Sequence, residues 1–157
     1  MDSDNAAVIQ RLYEALDARD GETMAACYVP DARFTDPVFR DLEGREVGAM
    51  WRMLCERSDD LSVELVDHGA KGDNGWANWV ATYTFTQTGR PVVNDVTAAM
   101  KFRDGLIAEH WDSFNLHRWT SQALGTPGRL LGWSPLVQRP VRRRARESLD
   151  EFLAGDA

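Results

Sequence analysis

The hydrophobic period of this chain changes near residue 60, and that change constrains its fold more than any other feature. Before it, apolar residues recur at helical spacing. Ile9, Leu12, Tyr13 and Leu16 stand at i, i+3, i+4 and i+7, and Val47, Met50, Trp51, Leu54 and Cys55 share one stripe. After it, residues alternate with period two. Trp79, Ala81, Tyr83 and Phe85 form an odd-numbered row, and Val96, Ala98, Met100 and Phe102 an even-numbered one. Four runs of β-type composition, 61–69, 76–88, 92–103 and 106–116, are separated by KGDNG (71–75), TGR (88–90) and RDG (103–105). Helices followed by a four-stranded meander predict an α+β domain. Its curved antiparallel sheet is wrapped by the N-terminal helices into a conical pocket, the usual shape of a small-molecule site.

Local punctuation divides the helical part. A helix is expected over 5–17, broken by RDGE at Gly21, then a short one over 21–28 stopped by Pro30. ARFTD reads as a short strand ending at Pro37, and Gly44 opens a third helix. Beyond Leu116 the chain returns to helix and turn, punctuated by Gly125, Pro127, Gly128, Gly132 and Pro135. A last helix is expected to start near Pro140, with Val141, Ala145, Leu149, Phe152 and Leu153 on one face. Residues 1–120 are thus expected to form the domain. Residues 121–157 form a helical extension that packs on it or on a second copy.

Charge narrows the function classes. The chain carries 18 basic and 25 acidic residues, a balance of -7, which argues against a nucleic-acid partner. Residues 118–157 hold 7 basic and 4 acidic residues, with the excess in RPVRRRAR (139–146). Arg143–Glu147 and Arg146–Asp150 are i, i+4 pairs, so a solvated helix face is the preferred reading over contact with an anionic surface. Leu130, Leu131, Trp133, Leu136 and Val137 are apolar enough to cap a pocket mouth or meet a second subunit. No run is apolar enough to span a bilayer, and MDSDNAAV has no signal-peptide character, so a cytoplasmic location is expected. Cys27 and Cys55 lie in no metal or redox motif and read as buried free thiols.

The chain contains no glycine-rich phosphate loop, no GxSxG elbow and no metal-spaced histidines; its three are His68, His110 and His117. No metal or organic cofactor is therefore expected. Polar residues on otherwise apolar strands remain. Asp36 precedes Pro37 at a strand end, as a turn residue or as an acid/base group. In EHWDSF, His110, Asp112 and Phe114 share one face and Glu109, Trp111 and Ser113 the other. Alternation alone leaves open which face is inward, since Phe114 favours the first and Trp111 the second. Asn94 stands either as a pocket donor or as a strand-edge residue.

VIQRLYEALDARDGETMAACYVPDARFTDP, the TGR hairpin and KFRDGLIAEHWDSFNLHRW resemble the nuclear transport factor 2-like superfamily over about residues 5–120. That superfamily includes ketosteroid isomerases, SnoaL-type polyketide cyclases, limonene epoxide hydrolases and scytalone dehydratases. The resemblance implies a curved sheet around a helix-lined cone, and a homodimer. Asp36 matches the Asp-Pro general base of the isomerases, whereas Leu12 and Ala98 occupy the places of their oxyanion-binding groups, with Tyr13 one residue away. Asp112 matches a last-strand aspartate of the epoxide hydrolases and cyclases, which implies that His110 and Asp112 face inward. The other epoxide hydrolase acid and the arginine fall at Ala81 and Trp79.

The expected function is acid/base catalysis on a small apolar, oxygen-bearing molecule. Asp36 removes or relays a proton, Asp112 is its partnering acid, and His110 hydrogen-bonds one of them or the substrate oxygen. Tyr13, Phe34, Trp51, Trp79, Tyr83, Phe85, Asn94, Ala98, Met100 and Phe114 are the expected substrate-binding wall. The alternative is a non-catalytic member that binds a hydrophobic ligand or a protein partner.

Overall fold

A computed structural model describes residues 2–155. Helix α1 (Asp2–Asp17) buries the stripe read from the sequence: Ile9, Leu12, Tyr13 and Leu16 are all nearly solvent-free. Arg19 then takes a left-handed backbone, and Asp20 caps α2 (Gly21–Ala26) by accepting from the Thr23 amide. Gly21 is thus the first residue of α2 rather than the breaker of α1. A Cβ there would lie 2.6 Å from the Arg52 Cα, so glycine permits α2 to press on α3 (Arg45–Arg57).

Strand β1 (Tyr28–Thr35) begins before Pro30, which was expected to stop the preceding helix. Pro30 instead falls where the register of β1 shifts, a place where the missing amide costs no ladder bond. A two-residue strand, β2 (Leu42–Glu43), pairs antiparallel with β1. The predicted meander follows as β3 (Ser62–Lys71), β4 (Asn74–Phe85), β5 (Arg90–Arg103) and β6 (Leu106–Ser113), each antiparallel to the next.

The sheet is curved and unclosed, in the order β2-β1-β6-β5-β4-β3. It is mixed rather than wholly antiparallel, because β1 lies parallel to β6, with Phe34 opposite His110. The period of β1 carries no record of this partner. A parallel pair joins through a long crossover, here everything between residues 35 and 106.

One irregularity sets the inner face of β6. Asp104 and Gly105, both at positive φ, make a two-residue turn that pairs Arg103 with Leu106. That register would set Trp111 opposite Ala98. Between Phe102↔Ile107 and Lys101↔Glu109, however, Ala108 is an extra residue. Beyond this bulge the parity is reversed. Met100 faces His110 and Ala98 faces Asp112, both sealed inside, while Trp111 turns outward, 40% exposed.

Helices α4 (Leu116–Leu124), α5 (Thr126–Leu131) and α6 (Pro135–Gly155) complete the fold. The last helix starts at Pro135, and Pro140 lies inside it, contrary to the expected start. Ser134, whose carbonyl accepts from Val137 and Gln138, precedes this first turn, so Pro135 takes the favoured early position. Leu149 and Leu153 of α6 are buried in the main core. Cys27 and Cys55 are buried free thiols. Among the described residues no helix is long and apolar enough to cross a membrane.

Leu149 is fully buried, so Leu149→Ala is expected to cost about 2–5 kcal/mol of stability in chemical denaturation. A loss no larger than that of an exposed site would mean that α6 is not docked.

Candidate functional site

The helices and the inner face of the sheet enclose a cavity of about 490 Å³. Its wall is mainly apolar and aromatic. Of the residues expected to form it, Trp51, Trp79, Tyr83, Phe85, Asn94 and Phe114 line it, as do Asp36 and Asp112. Phe34, Ala98, Met100, Tyr13 and His110 are buried beside or behind the wall and do not line it. Phe34 packs edge-on to the rings of Trp51 and His110. Asn94 comes into the cavity opposite Ala81 in the β4–β5 register.

His110 and Asp112 are joined to each other. His110 Nε2 lies 2.7 Å from Asp112 Oδ1, with both side chains sealed from solvent. The chain of hydrogen bonds continues behind them. His110 Nδ1 lies 2.8 Å from the Tyr28 hydroxyl, which in turn accepts from Trp51 Nε1 at 2.9 Å. Trp51 can only donate, and this gives the chain a direction. The Tyr28 oxygen accepts from Trp51, its hydrogen goes to His110 Nδ1, and Nε2 carries the hydrogen that Asp112 accepts. This is the assignment in which every donor of the chain finds an acceptor. Burial and the charge of Asp112 both push the Tyr28 phenol well above its ordinary range, so Tyr28 remains a hydroxyl.

Tyr28 was not singled out in the sequence. The helix expected over 21–28 includes it, whereas the structure opens β1 at Tyr28. Its stacking on His110, with ring centroids 6.1 Å apart, links β1 to β6 across 82 positions.

Asp36 is both a turn residue and a wall residue. Its Oδ1 accepts from the amides of Val38, at 2.7 Å, and Phe39, at 2.5 Å, closing the turn after β1. Burial, and then the charge of Asp112, raise its carboxyl to about 7 against those two hydrogen bonds. It therefore exchanges a proton near neutrality.

Two further donors lie close by. Tyr13 and Trp79 meet with ring centroids 5.1 Å apart at a tilt of 38°, and neither the Tyr13 hydroxyl nor Trp79 Nε1 has a hydrogen-bond partner among the described residues. Burial raises the Tyr13 phenol, and Asp112 adds to the effect. On the opposite side, Trp119 of α4 donates to the Tyr83 hydroxyl at 2.6 Å and packs against Phe85, tying α4 to the wall. Among the described residues no group of His, Cys, Asp and Glu is arranged to hold a metal ion.

The fold is shared with known proteins. An epoxide hydrolase of the LEH-like type from M. tuberculosis superposes with a TM-score of 0.66 at 18% identity, over 85% of this chain and 98% of its own. IdmH, a candidate polyketide cyclase from Streptomyces antibioticus, gives a TM-score of 0.65 at 25% identity, over 78% of this chain and 99% of its own. A candidate ketosteroid isomerase from Kribbella flavida gives 0.58 at 16% identity, over 73% and 79%. No curated protein matches the chain. The SnoaL-like domain matches residues 9–110, from α1 to the histidine that clasps Asp112. With about two thirds of its length so matched and the nuclear transport factor 2-like cone in place, this chain belongs to the SnoaL-like domain family.

Proposed function

We propose that the chain is an acid/base enzyme that moves a proton next to a carbonyl group of a small apolar molecule, in the manner of a cyclase or an isomerase. The observation that carries this reading is the pairing of two unlike carboxyls, Asp36 and Asp112, on one largely apolar cavity wall. Asp112 accepts from His110 through Oδ1, and its other oxygen is left for the cavity. It is the base. It takes a proton from the carbon beside the carbonyl, and the electron pair of that C–H bond moves onto the carbonyl oxygen. Asp36, titrating near 7, is acid often enough at neutral pH to return a proton to carbon or oxygen. These roles reverse those carried over from the isomerases, because the chain of donors ends at Asp112 and the neutral-range carboxyl is Asp36. The unpartnered Trp79 Nε1, on the cavity wall, suits the developing oxyanion. Identity of 25% to a candidate polyketide cyclase favours carbonyl chemistry over epoxide opening. So do Trp79 and Ala81, which stand where the epoxide hydrolases carry an arginine and an acid.

The first test is a screen of small ketones and polyketide-like cyclisation substrates, followed by Asp112→Asn and Asp36→Asn. Each variant is expected to lose about 10²–10⁴ in kcat while ligand binding survives. Full activity in both variants would sink the proposal. Binding without any turnover by the native protein would leave a ligand-binding member of the family.

The second test is stability against pH. The folded Asp36 carboxyl sits near 7, above an ordinary value of about 4, so its contribution to stability is complete below pH 4 and is lost as pH rises through 7. Asp36→Asn removes the charge and keeps an acceptor for Val38 and Phe39. Its stability relative to the native protein is expected to rise between pH 5 and pH 9, by up to roughly 3 kcal/mol, read as a rise in relative melting temperature. A difference that stays flat over that range contradicts a raised Asp36.

A further inference from the structure

Charge is distributed unevenly around the cavity. Its lining includes two carboxyl and two guanidinium side chains: Asp36, Asp112, Arg57 and Arg144. Asp112 is the buried one, and Asp36 is partly buried. Arg57, in the last turn of α3, and Arg144, on α6, are exposed, and they stand with the exposed Gln87 and Leu136 where the cavity opens. Neither arginine forms an ion pair among the described residues; Arg144 donates to the neutral Gln87 side chain at 3.1 Å. Arg146, one turn away from Leu149 on the same helix, is by contrast paired with Glu46 and Asp150. Glu147 and Glu151 share an adjoining groove with Arg144 and do not line the cavity, so that groove is closed to an anion.

We propose that the substrate is amphipathic, with an anionic group at the end opposite its reacting oxygen, and that Arg57 and Arg144 hold this group at the cavity mouth. The inference rests on the carbonyl end being the one that reaches Asp112. An anion at the inner wall would add a third negative charge beside two carboxyls that already repel each other. At the mouth it meets two guanidinium groups without carboxylate partners, while the apolar body fills the wall of Trp51, Trp79 and Phe114. Orientation then follows from charge. The oxygen-bearing end enters first and the anion stays outside.

The test compares octanoate with 1-octanol, which share a chain length and differ in the charge of one end. Both are titrated into the intact protein above neutral pH, followed by tryptophan fluorescence. Octanoate is expected to bind about fivefold tighter, the scale of a solvent-exposed ion pair. The preference should fade at high salt and vanish in the Arg57→Gln/Arg144→Gln double variant, whose fold is checked by its melting temperature. Equal or tighter binding of octanol by the native protein, or a preference that survives in the double variant, overturns the inference and leaves the carboxyl chemistry standing. Failure of both probes to bind overturns the inference together with the apolar-substrate reading.

Discussion

A single inserted residue in β6 determines what the cone contains. The Asp104–Gly105 turn pairs β5 and β6 in a register that would send Trp111 inward, and the bulge at Ala108 reverses it. The consequence is costly unless compensated. It draws a carboxylate and an imidazole into an apolar interior, where each loses its water. The cost is offset by joining them. Asp112 receives the His110 hydrogen, His110 receives that of Tyr28, and Tyr28 is held by Trp51. Four side chains from β6, β1 and α3 are thereby locked in one arrangement, with Asp112 at the end that meets the cavity.

Asp36 is treated differently although it is the same residue type. Its oxygen is already engaged by the two amides of its own turn, so its position is settled locally by the chain reversal after β1. Its charge is not settled locally. Burial, and then the charge of Asp112, lift its titration into the neutral range. The two carboxyls differ because one is at the end of a directed chain of donors and the other stands within reach of its field.

The chain's helices and meander were legible because amphipathic period is a local property. The α1 stripe, the inward rows of β4 and β5, and the α3 stripe all appear where spacing predicted them. Proline was a weaker guide. Pro30 and Pro140 were read as boundaries, yet Pro30 sits at a register shift within β1 and Pro140 inside α6. In each case the punctuation that mattered lay nearby, in the end of α2 at Cys27 and in Pro135 after Ser134. The candidate acids were found as polar residues on apolar strands, whereas Tyr28 escaped notice because it falls in the helix expected over 21–28, where the structure instead opens β1.

By itself the sequence determined the main helical and strand segments and part of the aromatic wall, and offered Asp36, His110 and Asp112 as candidates, for these depend on spacing within one segment. Only the tertiary structure decided which face of β6 turns inward, that β1 lies parallel to β6, and that Tyr28 and Trp51 stand behind His110. A strand's alternation names two faces without ranking them. The ranking comes from partners far along the chain, and here from one unpaired residue that shifts the count by one.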